Sequence, residues 1–209
     1  NLQYIFVNNG STDESFSLIK ESGIKYLNLK NNKGVGYALM IGFLYAKKYD
    51  FNCLVHLAGN GKMNPSQIDR FLELILSNEY DFVSGSRFLD GSSKKNNPLI
   101  RLILIKIFSV LLSLILRKKI TDTTCGFRAF KINIFQNFKK NFFKKEFFTY
   151  GYEYFSYGKI ISSNKIRFLE IPISMDYPSR TNYSKIRPII DWYIILKCWI
   201  KGLLDSHDL

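Results

Sequence analysis

Acidic residues are scarce in this sequence. Seventeen Asp and Glu stand against thirty Lys and Arg, for a net charge of +13 over 209 residues. That imbalance points toward an anionic partner, whether nucleic acid, an anionic membrane surface or a phosphorylated substrate, or else toward an AT-rich genome that favours Lys. Cysteine is also sparse. Cys53, Cys125 and Cys198 show neither paired nor metal-type spacing, so a disulfide framework is not expected and a reduced compartment fits. No signal peptide is visible, and no apolar run reaches the roughly 20 residues that span a bilayer. The longest, Leu102 to Leu116, is broken by Lys106 and leaves a buried helix and an interfacial helix both open. The sequence lacks an initiator Met and opens on a strand-like run, so it reads as a fragment whose N-terminus lies upstream. Aromatics are plentiful, with 18 Phe and 13 Tyr, and the apolar share of 46% suits a folded domain rather than a disordered chain.

The first half alternates strand and helix signals. Gln3–Val7, Lys25–Leu29, Asn52–Leu57 and Asp81–Ser84 read as strands. Between them, Ser11-Thr12-Asp13 offers caps for a helix through Glu21, and Gly36–Lys48 carries a helical apolar stripe. Pro65 opens a helix bearing Ile68, Phe71, Leu72 and Ile75 at helical spacing. Such alternation predicts an α/β fold, a doubly wound and mainly parallel sheet with helices on both faces. The second half holds a long apolar helix (Leu99–Leu116), a loop from Thr121 to Arg128, a basic aromatic segment from Phe138 to Phe148, a helix over Gly151–Ser162 and a strand over Lys165–Ile171. A polar loop, Tyr177–Lys185, then precedes a helix from Pro188 to about Leu204. Neither repeats nor a Gly/Pro/Ser-rich linker divide the chain, so one domain over 1–209 is expected.

Ligands of α/β proteins sit where strands end. There stand V-N-N-G-S-T-D-E-S (7–15), the glycine-spaced N-N-K-G-V-G (31–36), H-L-A-G-N-G-K-M-N-P (56–65) and G-S-R (85–87). T-D-T-T-C-G-F-R (121–128) and the loop with Arg180, Ser184, Lys185 and Arg187 add an acid and a group of cations suited to a phosphate or diphosphate. Taken singly, each also reads as a capped helix start or a solvated loop.

In this order the stretches resemble the family-2 glycosyltransferases of GT-A fold, above all the branch similar to dolichol- and polyprenol-phosphate sugar transferases. The likeness runs through V-N-N-G-S-T-D, N-K-G-V-G-Y-A-L-M-I-G, A-G-N-G-K-M-N-P, G-S-R, Arg101, D-T-T-C-G-F-R and R-T-N-Y-S-K. The family's first strand has no counterpart here. The resemblance implies a nucleotide-sugar-binding half (1–98) and an acceptor- and membrane-facing half (99–209). It implies that Asn8, Asn9, Asp13, Asn32 and Gly34 meet the nucleotide, and that Ala58, Gly59 and Asn60 stand where the family's D-x-D meets the donor diphosphate. Gly85, Ser86 and Arg87 complete the donor side, and Arg180, Ser184 and Lys185 match a loop that closes on the donor phosphates. Arg101 and Arg128 match residues near an acceptor lipid phosphate. Asp122, and after it Glu153, are the candidate bases.

Two departures follow from the residues themselves. Asn8-Asn9 replace Asp-Asp, and Ala58 and Asn60 replace both D-x-D carboxylates, which removes the usual hard ligands of the Mg²⁺ or Mn²⁺ that the family uses. Asn60 is the one side chain of the triplet left with a metal-binding oxygen. Lys62 stands in the loop that lost its acids and is expected to offset the charge of the departing diphosphate. The expected reaction is an inverting transfer from a nucleotide sugar to a polyprenyl-type phosphate or cell-envelope glycan. It would occur at the cytoplasmic membrane face through peripheral contact with the membrane. A non-catalytic nucleotide- or lipid-phosphate-binding relative is the alternative, and nucleic acid is not an expected partner.

Overall fold

The computed structural model of the chain describes residues 2–93, 95–135, 145–177, 187 and 190–205. Strand β1 (Ile5–Asn9) pairs in parallel with β2 (Lys25–Leu29), and α1 (Ser15–Glu21) makes the crossover. Helix α2 (Val35–Lys48) leads to β3 (Cys53–His56), and α3 (Ile68–Leu76) to β4 (Phe82–Ser86). After the long helix α4 (Leu99–Leu116) come β5 (Arg128–Lys131), α5 (Gly151–Ser162), β6 (Phe168–Pro172) and α6 (Ile190–Leu204).

The second sheet has the order β3-β5-β4-β6. Strand β5, of which the sequence pattern assigned only Arg128, as the end of a loop, runs antiparallel between β3 and β4, while β4 and β6 are parallel. The α/β architecture is as expected, but the sheet is mixed rather than mainly parallel. Because β5 and β6 interleave with β3 and β4, the two halves of the chain share one sheet.

Side-chain alternation directs each strand into two layers. Val83 and Ala129 face α3, whose Phe71 stacks on Phe127 at 4.2 Å between centroids. Phe82 and Phe130 face α5 and α6, among Tyr157, Ile160 and Trp199. Burying one such aromatic contributes about 1.5–3 kcal/mol. Strand β4 is buried over its full length because it is flanked by β5 and β6 and covered on both faces.

Helix α4 settles one alternative. It is not a buried core helix: Leu99, Ile100, Leu114 and Ile115 are each at least 70% exposed, and Ile105, Ser109 and Leu112 are its buried residues. By length and composition alone it could cross a membrane.

Candidate functional site

The turn after β1 is held by amides. Asn8 is buried; its Nδ2 donates to Asn28 Oδ1 (2.7 Å), and its Oδ1 accepts from the Ser11 N–H (3.2 Å). Asn9 reaches across 23 residues to donate to Asn32 Oδ1 (3.1 Å), and that oxygen also accepts from the Gly34 N–H (2.9 Å). The two loops expected on the nucleotide side therefore meet. Asp13 stays exposed and accepts from the Ser15 N–H before α1. Gly34 serves packing: a Cβ there would lie 2.2 Å from Phe148 O, and one on Gly36 2.1 Å from Phe147 O. The glycine spacing thus admits the chain's own backbone.

The loop after β3 is open. Ala58, Gly59 and Asn60 are exposed, and Gly61 takes a positive φ of 70°. Asn60 Oδ1 accepts from the Lys62 N–H at 3.2 Å, so it closes its own turn. Among the described residues no three His, Cys, Asp or Glu side chains gather as a metal site. One amide oxygen engaged by backbone, beside a lysine, is a poor donor set for a hard divalent ion, and the described residues of this loop do not fit the expected metal. Half-buried Lys62 lies with Nζ 4.6 Å from the centroid of the Tyr177 ring. Burial, then the nearby charge of Arg101 in the first turn of α4, pushes the Lys62 pKa below that of a free lysine.

Two expectations are corrected below the strand ends. Arg87 is 1% exposed and Asp122 is fully buried; Nε–Oδ2 at 2.7 Å and Nη2–Oδ1 at 2.8 Å make a two-pronged pair. Burial alone would raise the Asp122 pKa, but the Arg87 guanidinium outweighs it and holds the carboxyl below its ordinary value. Asp122 also accepts from the Arg87 and Thr124 N–H groups (3.1 Å each), so this placement does not fit a base working on a substrate. Gly85 and Ser86 are structural as well. A Cβ on Gly85 would stand 2.8 Å from Ile173 Cγ2, and the Ser86 hydroxyl bonds that of Thr121 at 2.6 Å. G-S-R is therefore built into the core at the end of β4.

Arg128 is likewise inward, 2% exposed, with its guanidinium carbon 4.0 Å from the Tyr157 ring centroid. This removes it from direct contact with an acceptor phosphate. Its Nη1 stands 3.1 Å from Glu153 Oε1, an ion-pair distance without hydrogen-bond alignment. Burial raises the Glu153 pKa and Arg128 partly offsets that rise. His56 faces Arg128 across the β3–β5 ladder, and burial followed by Arg128 pushes its pKa down to about 3. His56, Arg128, Glu153 and Ser156 line one cavity of about 10 Å³, and each carries a buried polar atom without a hydrogen-bond partner. Sequence reasoning missed His56 and Tyr177; a polar residue ending the apolar run Cys53–Val55 was the available sign of the first. Arg180, Ser184 and Lys185 lie outside the described residues.

Residues 1–138 match the Glycosyl transferase family 2 domain. Over 201 aligned residues the chain is 27% identical to a UDP-N-acetylglucosamine–dolichyl-phosphate N-acetylglucosaminyltransferase of Methanococcus voltae, covering 88% of this chain and 77% of that one. It is 25% identical to the polyprenol monophosphomannose synthase of Mycolicibacterium smegmatis, over 61% of this chain and 48% of the relative. The chain spans about half the length of several curated relatives that it matches. Among solved structures, glucosyl-3-phosphoglycerate synthase from Mycobacterium tuberculosis superposes with a TM-score of 0.60 at 12% identity, over 97% of this chain and 68% of that one, a likeness of fold.

Proposed function

This chain belongs to glycosyl transferase family 2, and from that premise we propose an inverting transfer of a sugar from a nucleotide-sugar donor to a polyprenyl- or dolichyl-type phosphate, or to a cell-envelope glycan precursor. The printed activities of the Methanococcus and Mycolicibacterium relatives support the lipid-phosphate class of acceptor. The inverting course rests on the family resemblance.

The observation that carries the chemistry is the acid-free loop, exposed over residues 58–61, with Lys62 at its end. An oxygen of the acceptor phosphate bonds to the anomeric carbon as the bond from that carbon to the β-phosphate oxygen breaks, and the electron pair leaves with the nucleoside diphosphate. Lys62 offsets the charge that grows on this leaving group. Charge-assisted contacts of this kind are worth about 1.5–3 kcal/mol each. A phosphate acceptor is already ionised and needs no strong base, which agrees with the inward placement of Asp122. If the acceptor were a glycan hydroxyl, Glu153, with its raised pKa, is the candidate base, its Oε1 3.3 Å from where a Gly126 Cβ would stand. The reaction as proposed does not route charge through a metal, because the donor set around Asn60 does not fit one.

Location at the inner membrane surface is part of the same reading. Helix α4 and helix α6 touch through Phe108 and Trp199, and both turn apolar residues outward, Ile103 and Ile107 on one and Trp192, Tyr193 and Leu196 on the other. Arg117 and Lys119, both exposed after α4, carry charge that suits anionic lipid, while Lys118 Nζ donates inward to Ile161 O (3.0 Å) and Ser163 O (2.6 Å).

The test is a product assay: the chain, labelled nucleotide sugars and polyprenyl phosphate in vesicles. Labelled lipid supports the proposal. Retention of nucleotide without labelled lipid overturns it in favour of a non-catalytic binding relative.

A further inference from the structure

Two turns meet past the end of β1, and their amides fix one another. Gly10, at a φ of 67°, lies so close to the second turn that a Cβ on it would stand 2.5 Å from the Asn31 carbonyl carbon and from the Asn32 N. Asn9 crosses between the turns: its Oδ1 accepts from the Lys33 N–H (3.1 Å) and its Nδ2 donates to Asn32 Oδ1 (3.1 Å). Asn32 Oδ1 also accepts from the Gly34 N–H at 2.9 Å. A backbone N–H only donates, so these bonds fix which end of each amide is the oxygen. Asn32 keeps Nδ2 as its outer end, on an exposed side chain. The helix start beside it does not offer an anion seat. The Gly36 and Tyr37 N–H groups in the first turn of α2 donate to Thr149 O (2.6 Å) and Phe148 O (3.0 Å). What the Asn9–Asn32 pair offers a ligand is a neutral N–H donor.

We infer that Asn32 Nδ2 donates to a carbonyl oxygen of the donor's nucleobase, and that Asn9 is a positioning residue that turns Asn32 to do so. A carboxylate at position 9 has no N–H for Asn32 Oδ1. It would turn the Asn32 amide over and leave the Gly34 N–H facing an NH₂ group. With Asn rather than Asp at position 9, the turn presents a donor to an acceptor edge. Uracil, cytosine and guanine carry such a carbonyl, and adenine does not. The inference rests on the nucleotide-sugar reading proposed above.

The test titrates the whole ¹⁵N-labelled chain with UDP, CDP, GDP, ADP and ribose 5-phosphate, the Asn32 side-chain amide signal being identified by its loss in Asn32→Ala. Expected is a downfield shift of that signal with the tightest-binding carbonyl-bearing nucleotide, and none with ADP or ribose 5-phosphate. Affinity for that nucleotide should fall roughly 2- to 10-fold in Asn32→Ala and in Asn9→Ala, as one neutral hydrogen bond implies, and no further in the double variant. Nucleotide binding without the shift in the wild-type chain overturns the contact, and needs no variant to fold. The same shift with ADP or ribose 5-phosphate overturns the base carbonyl as the partner. Losses that add in the double variant overturn the positioning role of Asn9. A wild-type chain that binds none of the nucleotides overturns the nucleotide-sugar reading, and this inference with it.

Discussion

Arg87 and Asp122, 35 residues apart, form a two-pronged ion pair in the core, with both side chains essentially without solvent contact. Such a pair is costly to break, because removing one partner leaves an uncompensated buried charge. Asp122→Asn should therefore lose stability, by about 3–5 kcal/mol in denaturant unfolding. A variant with wild-type stability and abolished transfer would instead return Asp122 to the role of base.

Glu170 should give the fold a pH dependence. Burial, set against bonds from the Thr121 hydroxyl (2.7 Å), the Asp122 N–H (3.0 Å) and the Thr121 N–H (2.6 Å), raises its pKa to about 7 from an ordinary value of 4.5. Between those two values the folded chain binds more protons at this site than the unfolded chain. The Glu170 contribution is thus fully present below about pH 4.5 and is lost as pH rises toward 7. Glu170→Gln should flatten that part of the stability–pH curve measured by thermal unfolding.

Gly36→Ala tests whether the glycine pair of residues 34–36 is structural. The new Cβ would meet Phe147 O at 2.1 Å and Thr149 O at 2.6 Å, and backbone on both sides leaves little room to yield. A loss of about 1–3 kcal/mol is expected in urea unfolding. A neutral effect would point to a ligand-facing role for this segment instead.

The outward face of α4 should bind lipid. Replacing the exposed Ile103 and Ile107 by Asp removes apolar area and adds repulsion. Co-sedimentation with phosphatidylserine-containing vesicles is expected to fall several-fold, and wild-type binding to weaken as salt rises. Undiminished sedimentation of the double variant would exclude α4 as the docking face.

Much of the fold was legible in the sequence because its helices carry strong apolar spacing: α4 and α5 begin and end where the pattern places them. Strand β5 was not, since Arg128-Ala-Phe-Lys131 has four residues, and its charged Arg128 is buried against the Tyr157 ring and Glu153, which lie far along the chain. The same cause explains the misplaced site residues. Motif position put Arg87, Asp122 and Arg128 near a ligand, but side-chain direction, set by long-range pairing, turns them inward. The acid-free loop was legible because its composition is local, whereas the Asn9–Asn32 contact, 23 residues apart, was not.

The central claim is that a lysine, not a metal, meets the donor diphosphate. Its most direct test is the rate of sugar transfer by wild type and Lys62→Gln in excess EDTA. The account predicts that the wild type keeps its rate in EDTA, and that Lys62→Gln falls roughly 10- to 150-fold, as loss of one charge-assisted contact implies. Full loss of wild-type transfer in EDTA, restored by added Mg²⁺ or Mn²⁺, would contradict it.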